Sequence, residues 1–328
     1  MTDPHPGEMR DDVLGAVRVP ATSANLGPGF DALGVALGLH LVVGAVGRRE
    51  ERVVTTGEGA GELPTGDENL VWASLVRFCT WQGCEVPDVS LEVHNAIPLE
   101  RGLGSSSSAI VGGLALGRLL TGARVGDRQL VALADEIEGH PDNVAPAILG
   151  GFVSATTGAD GHLVVRRAQP DPATRVVVAV PQSRQLTSEA RAALPASLDR
   201  ADVVTQAARA AHVAGAMTGA WPVDPGASGD VLHEPGRFEV MGASGTVARA
   251  WRDLGLQAWL SGAGPSVAAT FGARDVARRD AAVEVAERAG FRVMVLDWDL
   301  AGILACAPGR CAIAGTEGCA TCPRRGLC

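Results

Sequence analysis

The feature that most constrains this chain is a glycine-rich loop that runs directly into a helix of small residues. Residues 98–108 read PLERGLGSSSS, and residues 109–117 continue as AIVGGLALG. The glycines let the backbone approach a ligand closely, and a helix N-terminus presents unpaired N–H groups at the positive end of its dipole. With the serine hydroxyls as further donors, the segment predicts a phosphate-binding turn. A flexible loop that ends in a serine N-cap is the alternative interpretation.

The composition limits how such a phosphate site could work. The chain contains no lysine and no tyrosine, so all 28 basic residues are arginine. This excludes a P-loop lysine, a Schiff-base lysine and the strand lysine of protein kinases. Phosphates would have to be bound by backbone N–H groups, hydroxyls, arginine and a metal ion.

The charge balance and the N-terminal segment exclude other classes of function. A net charge of −9 disfavours nucleic acid as a partner, because phosphate-binding surfaces are basic. No run of eighteen apolar residues is present, so no membrane partner is predicted. Residues 1–12 are polar and lack the apolar core of a signal peptide, which predicts a flexible leader. We therefore expect a cytoplasmic enzyme.

The spacing of apolar residues predicts an α+β chain in two domains that meet near residue 170. The polar segment 169–174, QPDPAT, is the best candidate for the linker, which gives domains at 13–170 and 171–302. The predicted strands lie at 13–20, 33–46, 89–93, 151–156, 162–168, 175–180, 258–260, 267–271 and 291–297. The predicted helices lie at 67–83, 106–120, 127–138, 144–150, 243–254 and 274–289, with an alanine-rich helical stretch up to about 219.

Three segments together resemble the motifs of the GHMP kinases. The loop at 98–106 is similar to the family's second motif, whose backbone amides wrap the phosphates of ATP. Residues 20–31, PATSANLGPGFD, resemble the first motif in its homoserine kinase form, and residues 260–266, LSGAGPS, resemble the third. The resemblance spans roughly residues 13–300. It implies a two-domain fold with an N-terminal ribosomal protein S5 domain 2-like domain and a C-terminal ferredoxin-like α/β sandwich.

The resemblance also implies where ATP and Mg²⁺ bind. Carboxylates suit magnesium, which often takes only one or two ligands from the protein. Glu138 is the expected Mg²⁺ ligand together with Ser106, and Glu136 is the second candidate. Asn69 is the expected adenine contact. The full set of expected ATP-binding residues is Asn69, Pro98, Gly102, Leu103, Gly104, Ser105, Ser106, Ser107 and Ser108.

Two groups of residues are candidates for the acceptor site. Asn25 and Asp31 flank a Gly-Pro-Gly turn that could hold an ammonium or hydroxyl group, although ordinary turn chemistry explains them as well. By resemblance they contact an amino acid substrate, with Asp31 on its ammonium group. In the segment 138–143, EGHPDN, His140, Asp142 and Asn143 are expected to face the acceptor. A plain loop with Asp142 capping the next helix is the alternative.

Arginine is suited to the other end of an amino acid, because its planar fork binds a carboxylate through two hydrogen bonds. Thr187 and Arg191 lie one helical turn apart, and Arg237 follows Asp230 in a second segment. The resemblance implies that both arginines hold the substrate carboxylate, with Thr187 and Gly264 also at the substrate. Solvated surface arginines are the alternative.

The expected reaction is the Mg²⁺-dependent transfer of the γ-phosphoryl group of ATP to the side-chain hydroxyl of L-homoserine. The product would be O-phospho-L-homoserine, in threonine biosynthesis. Asp142, with Asn143 beside it, is the candidate base for the hydroxyl proton, and proton release to phosphate or solvent is the alternative. Two other functions stay open: a GHMP kinase for another small alcohol such as L-threonine, and a non-catalytic ligand-binding or metal-sensing protein. A homodimer is implied by the resemblance.

Residues 303–328 depart from the family pattern and carry five of the seven cysteines. Their spacing is C-x4-C-x7-C-x2-C-x5-C, from Cys306 to Cys328. A disordered appendage is the expectation, with a zinc or iron–sulfur site and a redox or disulfide role as alternatives. The odd number of cysteines and the absence of a secretion signal argue against a disulfide framework.

Overall fold

The computed structural model describes residues 13–184, 187–307 and 310–311, which form two β-sheets with their packed helices. The predicted leader at 1–12 and residues 312–328 lie outside the described residues. Among the residues described, no helix is long and apolar enough to cross a membrane.

The first sheet is built on two long antiparallel strands, β1 (Val13–Ala24) and β2 (Leu33–Gly47). Its other early strands are β3 (Val53–Gly57), β4 (Val89–Asn95) and the hairpin β5 (Phe152–Thr157) and β6 (Leu163–Ala168). The helices are α1 (Leu70–Gln82), α2 (Ser105–Thr121), α3 (Asp127–Glu138) and α4 (Pro141–Leu149). Helices α2 and α4 pack on β1 and β2, which fixes the glycine-serine loop at one end of these strands.

The small residues of α2 allow it to lie directly against α1. A Cβ atom added at Gly113 would stand 2.2 Å from the carbonyl oxygen of Val71, so only glycine fits. The close packing of α2 holds its N-terminus, and therefore the loop, in a fixed position.

The second sheet is antiparallel, in the order β10-β7-β9-β8. Its strands are β7 (Thr174–Val180), β8 (Gln257–Leu260), β9 (Val267–Gly272) and β10 (Arg292–Leu296). The later helices are α5 (Thr187–Ala192), α6 (Arg200–Met217), α7 (Glu234–Val240), α8 (Gly242–Asp253) and α9 (Val276–Arg288). Val177 and Ala179 face a core with α8 and α9, whereas Val176 and Val178 face the main core, as the alternation of a strand requires.

After β10 the chain returns to the first sheet. Strand β11 (Leu304–Ala307) pairs with β1, and β12 (Arg310–Cys311) pairs with β11. Cys306 is disulfide-bonded. The expectation of a disordered tail from residue 303 is therefore wrong for 304–307. Residues 304–307 belong to the N-terminal sheet, because β1 offers them a free edge.

Asp299 anchors this returning segment. Its buried carboxylate accepts hydrogen bonds from Arg18 (3.2 Å), from His40 (2.8 Å) and from the backbone N–H groups of Ala301 (2.9 Å) and Gly302 (2.8 Å). Burial alone would raise the pKa of Asp299, but the bonds from His40 and Gly302 and the nearby positive charges lower it below its ordinary value. The carboxylate is thus kept ionised where the last segment crosses β1 and β2.

Three further differences from the predicted elements have local causes. Strand β1 continues to Ala24 instead of ending at residue 20, because it pairs with β2 beyond a register shift at Pro20. Helix α4 begins at Pro141, within the predicted loop. Helix α7 was not predicted, since its sequence EPGRFEV has poor helix propensity, but the Asp230 carboxylate accepts the N–H groups at its start.

Candidate active site

One cavity of about 410 Å³ brings together residues from all three motifs. Most of the predicted site residues line it: Asn25, Asp31, Asn69, Gly102, Gly104, Ser105, Ser106, Ser107, Glu138, His140, Asp142, Asn143, Arg191, Arg237 and Gly264. Pro98, Leu103 and Ser108 do not line it and are buried behind the loop. Thr187 begins helix α5, and its side chain lies outside the described residues.

The glycine-serine loop has a fixed shape rather than a flexible one. Gly104 forms the N-cap of α2 in the left-handed region (φ 67°) and, as glycine, has no side chain to bond the first turn. A Cβ atom at Gly104 would stand 2.0 Å from Thr22 Oγ1, and one at Gly102 (φ 68°) would stand 2.1 Å from the carbonyl oxygen of Ser261. Ser108 donates to the carbonyl of Pro20 (2.9 Å) and so ties the helix to β1. The N–H groups that begin α2 therefore border the cavity in a defined geometry, which favours an anion site.

Replacing Gly102 with alanine should weaken ATP binding at least tenfold, because the new methyl group must push the loop away from Ser261. Gly122 at the other end of α2 offers a matched control, since it has a similar φ of 65° but open space around its Cβ position. Both variants should lose about 1 kcal/mol of stability from the left-handed backbone. ATP titration and thermal unfolding separate the effects, and equal ATP affinity in the two variants would contradict a clash at Gly102.

A chain of hydrogen bonds joins the three motifs. Trp259 Nε1 donates to Ser23 Oγ (2.8 Å), and Ser261 Oγ donates to the carbonyl of Gly102 (2.7 Å). Since the hydroxyl proton of Ser261 is used in that bond, Ser23 is the donor in the 2.7 Å contact between the two serines. Sequence reasoning missed Ser23 and Trp259, although the tryptophan directly precedes the third motif.

Glu138 at the C-terminal end of α3 faces the loop. Its Oε1 atom accepts hydrogen bonds from Ser106 (2.9 Å) and Ser107 (2.7 Å). Glu136, the second candidate, pairs instead with Arg77 at 3.1 Å and does not line the cavity. A single carboxylate beside hydroxyls suits Mg²⁺ when phosphate oxygens and water complete its ligands, and the described residues hold no group of three or more His, Cys, Asp or Glu that could form a larger metal site.

The segment after Glu138 forms a connected polar group. His140 Nδ1 lies 2.9 Å from Asp142 Oδ1, and Thr22 donates to Asn143 Oδ1 at 2.8 Å. Burial lowers the pKa of His140, but its hydrogen bond to Asp142 and the charges of Asp142, Glu138 and Asp31 raise it by more, so the net shift is upward. His140, not Asp142, occupies the N-cap position of α4, so Asp142 is free of the capping role.

The turn of the first motif holds Asp31 in a strained backbone. Asn25, Leu26 and Asp31 all have positive φ angles, which non-glycine residues adopt rarely and mostly at functional sites. Asn25 accepts the N–H of Asp31 (3.0 Å) and donates to the carbonyl of Gly262 (2.8 Å). Asn25 and Asp31 are residue types that tolerate this region in ordinary turns, whereas a bulky apolar residue such as Leu26 seldom adopts it.

Asp31 and Arg191, which are expected to bind the two ends of the substrate, contact each other. Arg191 forms two hydrogen bonds to Asp31, both 3.2 Å long, one from each terminal nitrogen. Arg237 lies beside them, only 2% exposed, and both guanidinium groups face the ring of Phe30 at 5.8 Å and 5.4 Å. Neither arginine is a solvated surface residue without partners. Phe30 was not predicted as a site residue, although it stands next to Asp31 in the first motif.

The opposite end of the cavity is mainly apolar. Leu63, Val71 and Val93 line it, together with Asn69. The Asn69 side chain caps α1 by accepting the N–H of Val71 (3.0 Å) and donates to the carbonyl of Pro64 (2.8 Å). Asn69 therefore fixes the start of α1 beside this apolar wall.

Comparisons with known proteins agree on one family. A family model described as GHMP kinases N terminal domain matches residues 69–151. The homoserine kinase of Moorella thermoacetica is 41% identical over 256 residues, which cover 77% of this chain and 86% of that protein. The homoserine kinase of a Synechococcus species is 39% identical over 303 residues, which cover 89% and 91% of the two chains.

Solved structures show the same similarity. The crystal structure of homoserine kinase from Cytophaga hutchinsonii matches with a TM-score of 0.76 and 25% identity, covering 91% of this chain and 99% of that one. Phosphomevalonate kinase of Streptococcus pneumoniae, in complex with phosphomevalonate and AMPPNP, matches with a TM-score of 0.65 at 14% identity, covering 86% and 99%. At that identity the second likeness concerns the fold alone.

Proposed function

Because this chain belongs to the homoserine kinase family of the GHMP kinases, we propose that its cavity binds ATP and L-homoserine side by side for direct phosphoryl transfer. The predicted family and the mixed α/β fold with two sheets are confirmed, and the relatives support a kinase that acts on homoserine. The assignment of roles to residues rests on the geometry of the cavity. The observation that carries it is the convergence of the start of helix α2, the carboxylates of Asp31, Glu138 and Asp142, and the two arginines on one cavity.

ATP would lie with its phosphates on the glycine-serine loop and its adenine against the apolar wall. The start of α2 supplies N–H groups and a positive dipole end, and Ser105 adds a hydroxyl on the cavity side. This arrangement suits a triphosphate in a chain that has no lysine. The interlocked bonds of Ser261 and Gly102 hold the loop in place before the nucleotide arrives.

Mg²⁺ would be held by Glu138 and the hydroxyl of Ser106, together with phosphate oxygens of ATP. When bound, the ion neutralises charge on the phosphates. Glu138 already accepts two serine hydroxyls from the loop, so its carboxylate is oriented toward the place where the phosphates would lie.

L-Homoserine would replace the direct contact between Asp31 and Arg191 with contacts to its own charged groups. Its ammonium group would bind Asp31, and its carboxylate would bind Arg191 and Arg237. The side chains of Asp31 and Arg191 are 37% and 40% exposed, so their mutual attraction is weak, about 0–1 kcal/mol, and a zwitterion can displace it. An acceptor with only one of the two charges would leave one partner unmatched.

Asp142 would accept the proton of the acceptor hydroxyl. It borders the cavity, is almost fully buried and is oriented by His140 and Asn143. Positioning and charge neutralisation carry most of such a transfer, so the base contributes only part of the rate enhancement. The raised pKa of His140 keeps a positive charge beside Asp142 to higher pH than an isolated histidine would.

Steady-state ATP turnover with single acceptors tests this function. L-Homoserine should be turned over in preference to L-threonine and L-serine. ATP binding without turnover of any acceptor would favour the non-catalytic alternative. The role in threonine biosynthesis, the homodimer and the cytoplasmic location stay predictions.

A further inference from the structure

A count of hydrogen-bond donors on Arg237 shows which of its groups is available to a substrate. Arginine has five N–H donors and no acceptor. Nε donates to the carbonyl of Ala190 (3.1 Å), and Nη1 contacts the carbonyl of Gly262 (3.0 Å) and Nδ1 of His233 (3.1 Å). These contacts use three donors. Within the described part of the chain, the two N–H groups of Nη2 have no protein acceptor, and Arg237 lines the cavity.

The contacts of His233 fix its protonation. The side chain is completely buried, with Nε2 2.9 Å from the carbonyl oxygen of Gly27 and Nδ1 3.1 Å from Arg237. A carbonyl oxygen only accepts and a guanidinium group only donates, so Nε2 carries the proton and Nδ1 does not. His233 is therefore neutral, and it accepts a hydrogen bond from the arginine one helical turn further along α7.

The backbone of His233 is held as firmly as its ring. The Asp230 carboxylate accepts the N–H groups of His233 (2.6 Å) and Glu234 (2.7 Å) at the start of α7. On its other side, the His233 ring packs against Phe30 with ring centres 5.2 Å apart. Phe30 in turn faces both guanidinium groups, and its negative ring face favours their approach to one another.

We propose that His233 is a positioning residue that makes the site selective for the carboxylate of the acceptor. Its unprotonated Nδ1 accepts a hydrogen bond from Nη1 of Arg237, which leaves the N–H groups of Nη2 available to the acceptor carboxylate. His233 itself does not line the cavity, so it acts only through the arginine. This inference rests on the proposed function, because it assumes that Arg237 binds the acceptor carboxylate.

Each of two substitutions keeps one side-chain hydrogen bond of His233 and removes the other. In His233→Gln the amide nitrogen can still reach the carbonyl of Gly27, but the acceptor at the Nδ1 position is lost. In His233→Asn the amide oxygen stands near the Nδ1 position and can accept from Arg237, but the bond to Gly27 is lost. A hydrogen bond that involves a charged group is worth about tenfold to hundredfold in an equilibrium constant. We therefore expect His233→Gln to raise the KM for L-homoserine by that factor, and His233→Asn to stay within a few-fold of the parent.

The choice of acceptor separates this role from a general loss of structure. 3-Aminopropan-1-ol is homoserine without its carboxylate, so a defect that acts through Arg237 should leave its kcat/KM unchanged in His233→Gln. An equal loss with both acceptors, or a KM for homoserine within twofold of the parent, would overturn the proposal. Absence of turnover in the unsubstituted enzyme would instead contradict the proposed function.

A spectroscopic measurement keeps the inference testable if the variants do not fold. Nitrogen-15 chemical shifts of the histidine side chains in the unsubstituted protein should identify one neutral ring that is protonated at Nε2 only and does not exchange readily with solvent. A His233 ring that carries a proton on Nδ1 would overturn the proposal, because it could not accept from Arg237.

Discussion

Replacement of Glu138 by glutamine should lower kcat by about 10²–10³-fold and raise the Mg²⁺ concentration needed for half-maximal rate. A metal ion contributes several kcal/mol to the stabilisation of transferred phosphoryl charge, and a neutral amide is a poor magnesium ligand. The amide oxygen can still accept from Ser106 and Ser107, so the loop should keep its shape. The measurement is the dependence of initial rate on Mg²⁺ concentration at fixed ATP.

Glu136→Gln is the matched control for this experiment. Glu136 stands two residues earlier on α3, is exposed and pairs with Arg77. Its replacement should leave the Mg²⁺ dependence unchanged. If the Glu136 variant shows the larger defect, or if both variants behave like the parent, Glu138 is not the metal ligand.

Replacement of Asp142 by asparagine should lower kcat by about 10²–10⁴-fold with little change in the KM for ATP. A positioned general base contributes a factor of this size, and an amide cannot accept the hydroxyl proton. Asp142 lines the cavity, and its side-chain hydrogen bonds join it to His140 and Asn143, not to the glycine-serine loop. Single-turnover kinetics with saturating ATP and homoserine measure the chemical step directly.

The size of this loss decides between two proton paths. If the proton passes to the phosphate or to solvent, Asp142→Asn should cost less than about tenfold. Asp127→Asn is a suitable control, because Asp127 is a carboxylate at the other end of α3 that pairs with Arg118 and does not line the cavity. It should retain the parent rate.

The left-handed backbone of the glycine-serine loop is the part of the site that could be predicted from sequence. Gly102 and Gly104 have φ angles of 68° and 67°, and such requirements are visible as residue type and spacing. The pairing of Asp31 with Arg191 could not be predicted, since the two residues are 160 positions apart and only the fold brings them together. The tautomer of His233 likewise depends on Gly27, which is distant in sequence.

The errors in the predicted fold also arise where an element depends on long-range contacts. Strand β11 was missed because four residues, LACA, carry little pattern of their own and are stabilised by pairing with β1. The structural role of Asp299 was not predicted either, because it depends on hydrogen bonds from Arg18 and His40, which lie on two other strands. Sequence patterns therefore predict the elements that have a periodicity of their own. They do not predict elements that are stabilised by pairing with a strand distant in sequence.

The central claim is that the cavity recognises a zwitterionic alcohol through Asp31, Arg191 and Arg237. The most direct test is coupled ATP turnover with Mg²⁺ against L-homoserine, L-threonine, L-serine, mevalonate and 3-aminopropan-1-ol, with Arg191→Ala measured alongside. We predict selective turnover of L-homoserine, lost in Arg191→Ala mainly through a KM raised by about tenfold to hundredfold, as expected for a lost charge-assisted contact. Equal turnover of mevalonate or 3-aminopropan-1-ol, or a KM for homoserine that Arg191→Ala leaves unchanged, would contradict the claim.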